Sequence, residues 1–318
     1  MNETKNKQSL GNLYQKYGIF VIMVAVFIIA SLASKNFLKP SNLVNVLKQI
    51  TPVAIVSAGE TMMLVSGNID LSASAVAALA GCVGANVLIA TGSVPLGFLA
   101  AIAIGVVANY FSGILITKLR LPAFIATLAT MNICKGVVYV YATGAILGQE
   151  KLQWLNNGKL FGIIPYMIIT MIVVLLIIQF ILKRTRLGLY MYATGGNIKA
   201  TIAAGINTNR IIRLTYVLNG ALIGIASVVL TARMMSATPN FSTGNYEFDA
   251  ITATVVGGTS FSGGFGSMFN VIIGAIIIGI INNVMILMGI NSNWQVVVKG
   301  LLIATAVAID INTKKSNG

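Results

Sequence analysis

Long apolar runs, most of them close to 20 residues, recur along the whole chain and are separated by short polar stretches. A helix needs about 20 predominantly apolar residues to cross the hydrocarbon core of a bilayer. The pattern therefore predicts an all-α polytopic membrane protein with about ten transmembrane helices and both termini inside. The predicted crossings are 18–33, 51–65, 73–91, 95–117, 122–143, 161–182, 214–235, 250–256 with its flanks, 268–290 and 294–309. A separate interfacial helix is predicted at 41–50, and outer loops at 144–159 and 236–249.

Two polar interruptions, SGNIDLS at 66–72 and GGTSFSGGFGS at 257–267, separate apolar runs without a long loop. Each follows a short apolar helix and precedes an Ala- and Gly-rich run, a pattern that an internal repeat would give. Paired broken segments typically mark a transport path, although two ordinary glycine-rich turns would look the same. If 250–256 is a re-entrant half-helix rather than a crossing, the carboxyl terminus moves outside, which the positive-inside rule disfavours.

The longest polar interval, 183–213, carries six Lys and Arg and no Asp or Glu. The positive-inside rule places it in the cytoplasm. Within it, 194–197 is predicted to be a turn and 198–204 a short exposed helix that ends at Gly205. The interval is either a solvated loop between two crossings or a surface for a soluble partner. The whole chain, 1–318, is predicted to be a single membrane domain, with 1–17 as a cytoplasmic tail and 184–213 as a cytoplasmic loop.

Composition excludes several classes of protein. With 57% hydrophobic and 9% charged residues, the chain cannot be a soluble globular domain. The net charge of +14 comes from cations at the ends of apolar runs, so it reflects membrane topology rather than nucleic-acid binding. Because the chain has no His, Ser-His triads and His metal sites are excluded, and we predict no catalytic, cofactor or metal site.

Several polar residues fall inside the predicted crossings or their interruptions. An ionised side chain there costs roughly 2.5–3.5 kcal/mol, so it should be paired, face a cavity or be functional. The charged residues either neutralise one another or line a wet path for a polar solute. Asp70 or Ser72 is also predicted to cap the helix that begins near Ala73. The candidate residues for this path are Glu60, Asn68, Asp70, Thr127, Asn132, Lys135, Asp249 and Lys299.

Several motifs in one order carry a family resemblance: SGNIDLS at 66–72, LPAFIATLATM at 121–131, GGN at 195–197, GGTS at 257–260, GGFGS at 263–267 and WQVVVKG at 294–300. Over about residues 15–312 the chain resembles the permease subunits of bacterial ribose, xylose and galactose type ABC importers. The resemblance implies a permease that moves a monosaccharide, a ribose-like pentose or a hexose, across the inner membrane. Four positions depart from the family pattern: Ile198 and Lys199 replace acids, Phe265 replaces a frequent Arg, and Ser74 replaces a Gly.

The same resemblance implies three partners: a cytoplasmic ATP-binding subunit, an extracytoplasmic sugar-binding protein and a second permease copy, as homodimer or heterodimer. The chain itself binds no cofactor, and ATP-Mg is held by the partner ATPase, in keeping with the missing G-x-x-x-x-G-K-[ST] loop. The segment 195–205 corresponds to the helix that docks on the ATPase. Its coupling residues are Gly195, Gly196, Asn197, Ala200, Ala203, Ala204 and Gly205.

Two other functions stay open from the residues alone. An ion-coupled secondary transporter of a small polar solute would explain the broken segments, but the absence of His and the few membrane acids count against it. A membrane enzyme is less well supported, because no nucleophile and base, or metal-ligating set, occurs in the sequence.

Overall fold

A computed structural model describes the backbone of residues 2–317 and the side chains of residues 18–291 and 293–308. The described residues form a helical bundle, joined mostly by short connections. Its α-helices are α1 Asn2–Ala33, α2 Pro40–Val65, α3 Ala73–Thr91, α4 Val94–Thr117, α5 Ala123–Tyr141, α6 Gln153–Asn157, α7 Tyr166–Arg184, α8 Arg186–Gly196, α9 Ile198–Ala203, α10 Thr208–Met234, α11 Tyr246–Val256, α12 Met268–Leu287 and α13 Ser292–Asn317.

Six helices, α3, α4, α5, α7, α10 and α12, are long and apolar enough to cross a membrane. The predicted all-α polytopic class is therefore confirmed. A small exception lies in the predicted outer loop 144–159 and just after it, where β1 Lys159–Leu160 pairs antiparallel with β2 Ile164–Pro165. Helix α3 has the predicted bounds, and α4, α5 and α7 begin or end within a few residues of theirs.

Helix α2 corrects the prediction of a separate interfacial helix at 41–50. The structure has one continuous helix from Pro40 to Val65, with Pro52 inside it. Val46 and Ile50 of this helix pack on α12, where Gly279 leaves room for the side chain of Ile50, while Leu47 stays exposed. A local amphipathic pattern cannot distinguish a lipid surface from a neighbouring helix as the partner of that face.

Helix α10 is the central helix of the bundle and packs on α4, α2 and α3. In its most apolar stretch 72% of the residues are buried, against 28% for α4 and for α5, so α4 and α5 lie at the periphery. Glycines allow the closest contact, because a Cβ on Gly105 of α4 would collide with the carbonyl oxygen of Gly220 on α10. Small residues at such a contact let two backbones approach within the membrane.

Helix α11 is too short to cross a bilayer alone. Its 11 residues span about 16 Å, roughly half of a hydrocarbon core of about 30 Å. The chain reaches its amino-terminal end through a partly buried 3-10 turn, Pro239–Thr243, whose Phe241 packs in a cluster with Ala78 and Cys82 of α3. The predicted outer loop 236–249 is therefore shorter than expected, because α11 begins at Tyr246. Part of it packs on the bundle, while Thr243 and Gly244 stay exposed.

The start of α3 is capped from a distant part of the chain. One carboxylate oxygen of Glu247, in the first turn of α11, accepts hydrogen bonds from the backbone N–H of Ser74, at 3.2 Å, and from its hydroxyl. The side chains of Asp70 and Ser72 accept no hydrogen bond from the first turn of α3, so the prediction that one of them caps this helix is wrong. Asp70 Oδ1 instead accepts from the backbone N–H of Ser72, just before the helix. The amino-terminal turns of α3 and α11 consequently meet inside the protein.

We expect Glu247→Leu to lower the free energy of unfolding by about 1–3 kcal/mol, because two buried donors on Ser74 lose their acceptor. Glu247→Gln keeps an acceptor oxygen and should cost much less. Thermal unfolding midpoints of the purified protein in one detergent measure the difference, with the exposed Glu150→Leu as control. Equal midpoints for the Leu and Gln variants would show that the cap contributes nothing.

Candidate functional site

A buried polar cluster surrounds Asn219, near the middle of α10. The side-chain amide of Asn219 donates to Asp70 Oδ2 at 2.7 Å and to Asn109 Oδ1 at 3.2 Å. Asp70 Oδ1 accepts from the backbone N–H of Ser72 at 2.8 Å and from its hydroxyl at 2.6 Å. Asp70 therefore fixes the first interruption, 66–72, against α4 and α10.

Two more predicted residues lie at this interruption. Glu60, wholly buried on α2, accepts from the backbone N–H of Asp70 through Oε2 at 3.5 Å, while its Oε1 has no partner among the described residues. Asn68 donates to the carbonyl oxygen of Ser66 at 3.1 Å. The structure thus brings Glu60, Asn68 and Asp70 together.

The predicted pairing of charges holds for one pair. Lys299 Nζ on α13 lies 2.7 Å from Asp249 Oδ1 in the first turn of α11, and this is the only ion pair among the described residues. Glu60, Asp70 and Glu247 have no cationic partner there. Asp70 and Glu247 accept hydrogen bonds from amide and hydroxyl donors at the start of α3 instead.

The three candidates on α5 lie apart from this cluster. The hydroxyl of Thr127 is buried and bonds back to the carbonyl oxygen of Ala123 at 2.9 Å. Asn132 is exposed and bonds back to the carbonyl oxygen of Leu128, and Lys135 is partly exposed with no ion pair among the described residues. The face of α5 that carries Asn132 and Lys135 is therefore free to meet something outside this chain.

In the interval 183–213, α8 and α9 replace the predicted turn and helix. The predicted turn at 194–197 is wrong, because Gly195 and Gly196 form the last turn of α8 and only Asn197 breaks the helix. The side chain of Asn197 caps α9 by accepting from the N–H of Ala200 at 2.9 Å. Gly205, with φ at +78°, turns the chain away after the helix.

Helix α9 presents an exposed surface. Ala200, Ala203, Ala204 and Gly205 are all exposed, as predicted for a short exposed helix. Sequence reasoning missed two further residues, Ile198 and Ile202, which are 44% and 56% exposed. Their i, i+4 spacing places them on one face of a helix, and this was the signal that could have found them.

The carboxyl-terminal end of α8 touches both interruptions, and the second interruption also bonds to the end of α2. The backbone N–H of Gly264, in the second interruption, donates to the carbonyl oxygen of Val65 at the end of α2, at 2.9 Å. Gly195 lies against Val65, Gly67 and Gly264 so closely that a Cβ would collide with backbone atoms. We call this contact of α2, α8 and the loop 257–267 the glycine junction.

Tyr192 of α8 strengthens the glycine junction. Its hydroxyl donates to the carbonyl oxygen of Gly266 at 2.8 Å. Burial raises the pKa of Tyr192, which keeps the hydroxyl protonated as a donor. The backbones at the glycine junction are closely packed and have little free space between them. We therefore expect a displacement of α9 to move both interruptions through the end of α8.

The chain matches the family described as "Branched-chain amino acid transport system / permease component" over residues 42–307. It is 37% identical to the ribose import permease protein RbsC of Escherichia coli (strain K12) over 304 residues, 94% of each chain. It is 38% identical to RbsC of Bacillus subtilis (strain 168), over 93% of this chain and 92% of the relative.

A third relative, the L-arabinose transport system permease protein AraH of Escherichia coli (strain K12), is 34% identical over 98% of this chain and 95% of its own length. No solved structure matches the chain significantly. Since the family match and the relatives cover nearly the whole chain, it belongs to this family of transport permeases and is a multi-pass inner-membrane transport subunit rather than an enzyme.

Proposed function

We propose that the chain is the transmembrane permease subunit of an ATP-driven importer that moves a monosaccharide, a ribose-like pentose or a hexose, across the inner membrane. The family description names amino acids, but the relatives that match almost end to end are named for ribose and L-arabinose. One observation carries the ATP-driven mechanism: the exposed α9 connects through the glycine junction to both interruptions.

The cytoplasmic partner is an ATP-binding subunit that docks on α9 and holds the ATP-Mg, while this chain binds no cofactor. The exposed Ile198 and Ile202 give α9 an apolar face, and its small residues, Ala200, Ala203 and Ala204, permit close approach. This surface lacks the acids that relatives of the sugar-importer type usually carry beside Gly-Gly-Asn. The matching surface of the ATPase is therefore expected to be apolar.

The glycine junction transmits movement of the ATPase to the membrane helices. When ATP binding closes the partner, α8 and α9 move as a unit, and Gly195 presses on Val65 and Gly264. The end of α2 and the loop that precedes α12 then shift together. A sugar-binding protein outside the membrane delivers the sugar to the opposite side of the bundle.

A second permease copy covers the exposed face of α5. Exposing a cation such as Lys135 to hydrocarbon is costly, whereas a partner helix or a wet path between two copies would solvate it. The exposed Asn132 and the 87% exposed Val140 lie on the same helix. Both a homodimer and a heterodimer fit this face.

We infer ten crossings with both termini inside. The six apolar helices are joined by α1, α2 and α13, and the tenth crossing is composite, consisting of the partly buried segment 236–245 followed by α11. The interruptions then lie on the path of the solute, as paired broken segments do in other transporters.

The substrate class is tested by uptake. Vesicles that contain the permease, its ATPase and its sugar-binding protein should accumulate labelled ribose or L-arabinose when ATP is present, and should leave labelled leucine outside. Vesicles without ATP serve as the control. Accumulation of leucine without either sugar would overturn the proposed substrate class.

Changes on α9 test the docking surface. Ala200→Trp adds bulk to the exposed face and Ala203→Pro breaks the helix, and we expect each to lower the uptake rate about tenfold or more, without loss of membrane insertion. The measurement is uptake together with ATP hydrolysis stimulated by the binding protein. Leu119→Trp, at an exposed position in another loop predicted to be cytoplasmic, is the control. Parental rates in both α9 variants would remove α9 as the coupling element.

Adjacent glycines test the glycine junction. A Cβ at Gly195 would collide with backbone on both interruptions, whereas the nearest atom to a Cβ at Gly196 is 3.9 Å away. We expect Gly195→Ala to lower the uptake rate about tenfold and Gly196→Ala to leave it nearly unchanged. ATP hydrolysis by the assembled complex should lose its stimulation by the binding protein only in Gly195→Ala. Equal effects of the two substitutions would contradict the role of the glycine junction.

A further inference from the structure

A cavity of about 170 Å³ lies among α2, α10, α11, α12 and α13, beside the amino-terminal end of α11. Its wall includes Arg233, the second-to-last residue of α10, and Gly244, in the segment that leads into α11. Since both belong to the side of the bundle where α10 ends, the cavity lies toward the outer side of the proposed topology. The coupling surface on α9 is at the opposite side.

One group on the wall has an unmet polar atom. Asn282 of α12 is 8% exposed, and its Oδ1 has no hydrogen-bond partner among the described residues. Asp249 and Lys299 pair with each other, since Lys299 Nζ lies 2.7 Å from Oδ1 and 2.9 Å from Oδ2. The half-buried Arg233 lines the same wall and forms no ion pair among the described residues. A buried polar atom without a partner is costly, so a polar ligand or water belongs beside Asn282.

The mixture of donors and acceptors identifies the class of ligand. Arg233 and Lys299 donate, the free oxygen of Asn282 and the carboxylate of Asp249 accept, and the amide of Gln49 on α2 does both. A sugar hydroxyl also donates and accepts, so one ring with several hydroxyls satisfies such a wall. An anionic solute would gain from Arg233 but would meet the carboxylate of Asp249 on the same wall.

The volume limits the size of the ligand. Drug-sized ligands occupy pockets of about 300–1,000 Å³, and a cavity of about 150 Å³ in another protein holds one benzene ring. A cavity of about 170 Å³ therefore suits one sugar ring and excludes a disaccharide. The aromatic ring of Tyr246 lines the same cavity and offers an apolar surface for the ring carbons.

We propose that this cavity is a monosaccharide-binding site within the permease chain, with Arg233, Asp249, Asn282 and Lys299 as its polar contacts. The proposal rests on the proposed function and adds to it a place where the imported sugar binds on the outer side. It also assigns a role to Arg233 and Asn282, which the sequence pattern did not single out.

Protection of an introduced thiol tests the site. In a chain whose buried Cys82 and Cys134 are replaced by Ala, Asn282→Cys should react with a membrane-impermeant thiol reagent added from outside. Saturating ribose or L-arabinose should slow this reaction at least about fivefold. Thr243→Cys, an exposed position just before the cavity, should react at the same rate with and without sugar. Gln295→Cys, also on the wall, replaces Asn282→Cys if the latter does not fold.

A second substitution tests whether Arg233 contacts the sugar. In the Asn282→Cys chain, Arg233→Gln should raise the sugar concentration that gives half protection by about tenfold, while Lys151→Gln on the outer surface should leave it unchanged. Leucine and ribose 5-phosphate are the competing probes. Protection by either of these, but by neither sugar, would overturn the assignment of a neutral sugar.

The protection and uptake experiments distinguish a failure of the proposed sugar site from a failure of the proposed function. If the complete importer accumulates sugar but sugar protects neither Asn282→Cys nor Gln295→Cys, the cavity is not the site and the proposed function stands. If sugar protects the thiol but the complete importer accumulates neither sugar, the site is supported and the proposed function fails.

Discussion

The hydrogen bond from Gly264 to the carbonyl oxygen of Val65, with Gly195 packed against both, is the contact on which the proposed coupling rests. Together with Gly195 it joins the second interruption, the end of α2 directly before the first interruption, and the end of α8. A side chain at Gly195 would force these backbones apart, so close packing without side chains makes the contact rigid. Because the interruptions cannot move independently of α8, one docking surface is enough to act on both.

Away from the glycine junction, the bundle uses two different solutions for buried charge. Asp70 and Glu247 rely on neighbouring amides and hydroxyls, and these contacts fix the starts of α3 and α11. Asp249 instead pairs with Lys299 beside a cavity that other polar groups also line. The first arrangement ties α3, α4, α10 and α11 together, although Asn109 Nδ2 and Asn219 Oδ1 have no partner among the described residues. The second lies beside Asn282, whose unpartnered Oδ1 faces the cavity wall that the proposed site uses.

Features that depend on a local sequence pattern could be predicted, whereas contacts between residues far apart in the chain could not. Helix α3 and the exposed α9 followed from apolar runs, basic residues and a terminal glycine. The cap of α3 by Glu247 was not predictable, because it joins residues 173 positions apart. The role of Ser74 was not predictable for the same reason. The sequence showed it only as a departure from the family pattern, but its hydroxyl donates to Glu247 in that cap. The cavity also escaped prediction, since five helices contribute to its wall.

Helix α11 connects the two proposed sites. Its amino-terminal turn carries Asp249 at the cavity, and its carboxyl-terminal end leads into the loop that contains Gly264. A helix of 11 residues with its hydrogen bonds intact is stiff, so a shift at one end becomes a shift or tilt at the other over about 16 Å. Its partner Lys299 is on α13, which packs on α11 more than on α12, so a movement of α11 carries the ion pair and this wall of the cavity with it. Docking at α9 can in this way change the cavity, although α9 and the cavity lie on opposite sides of the bundle.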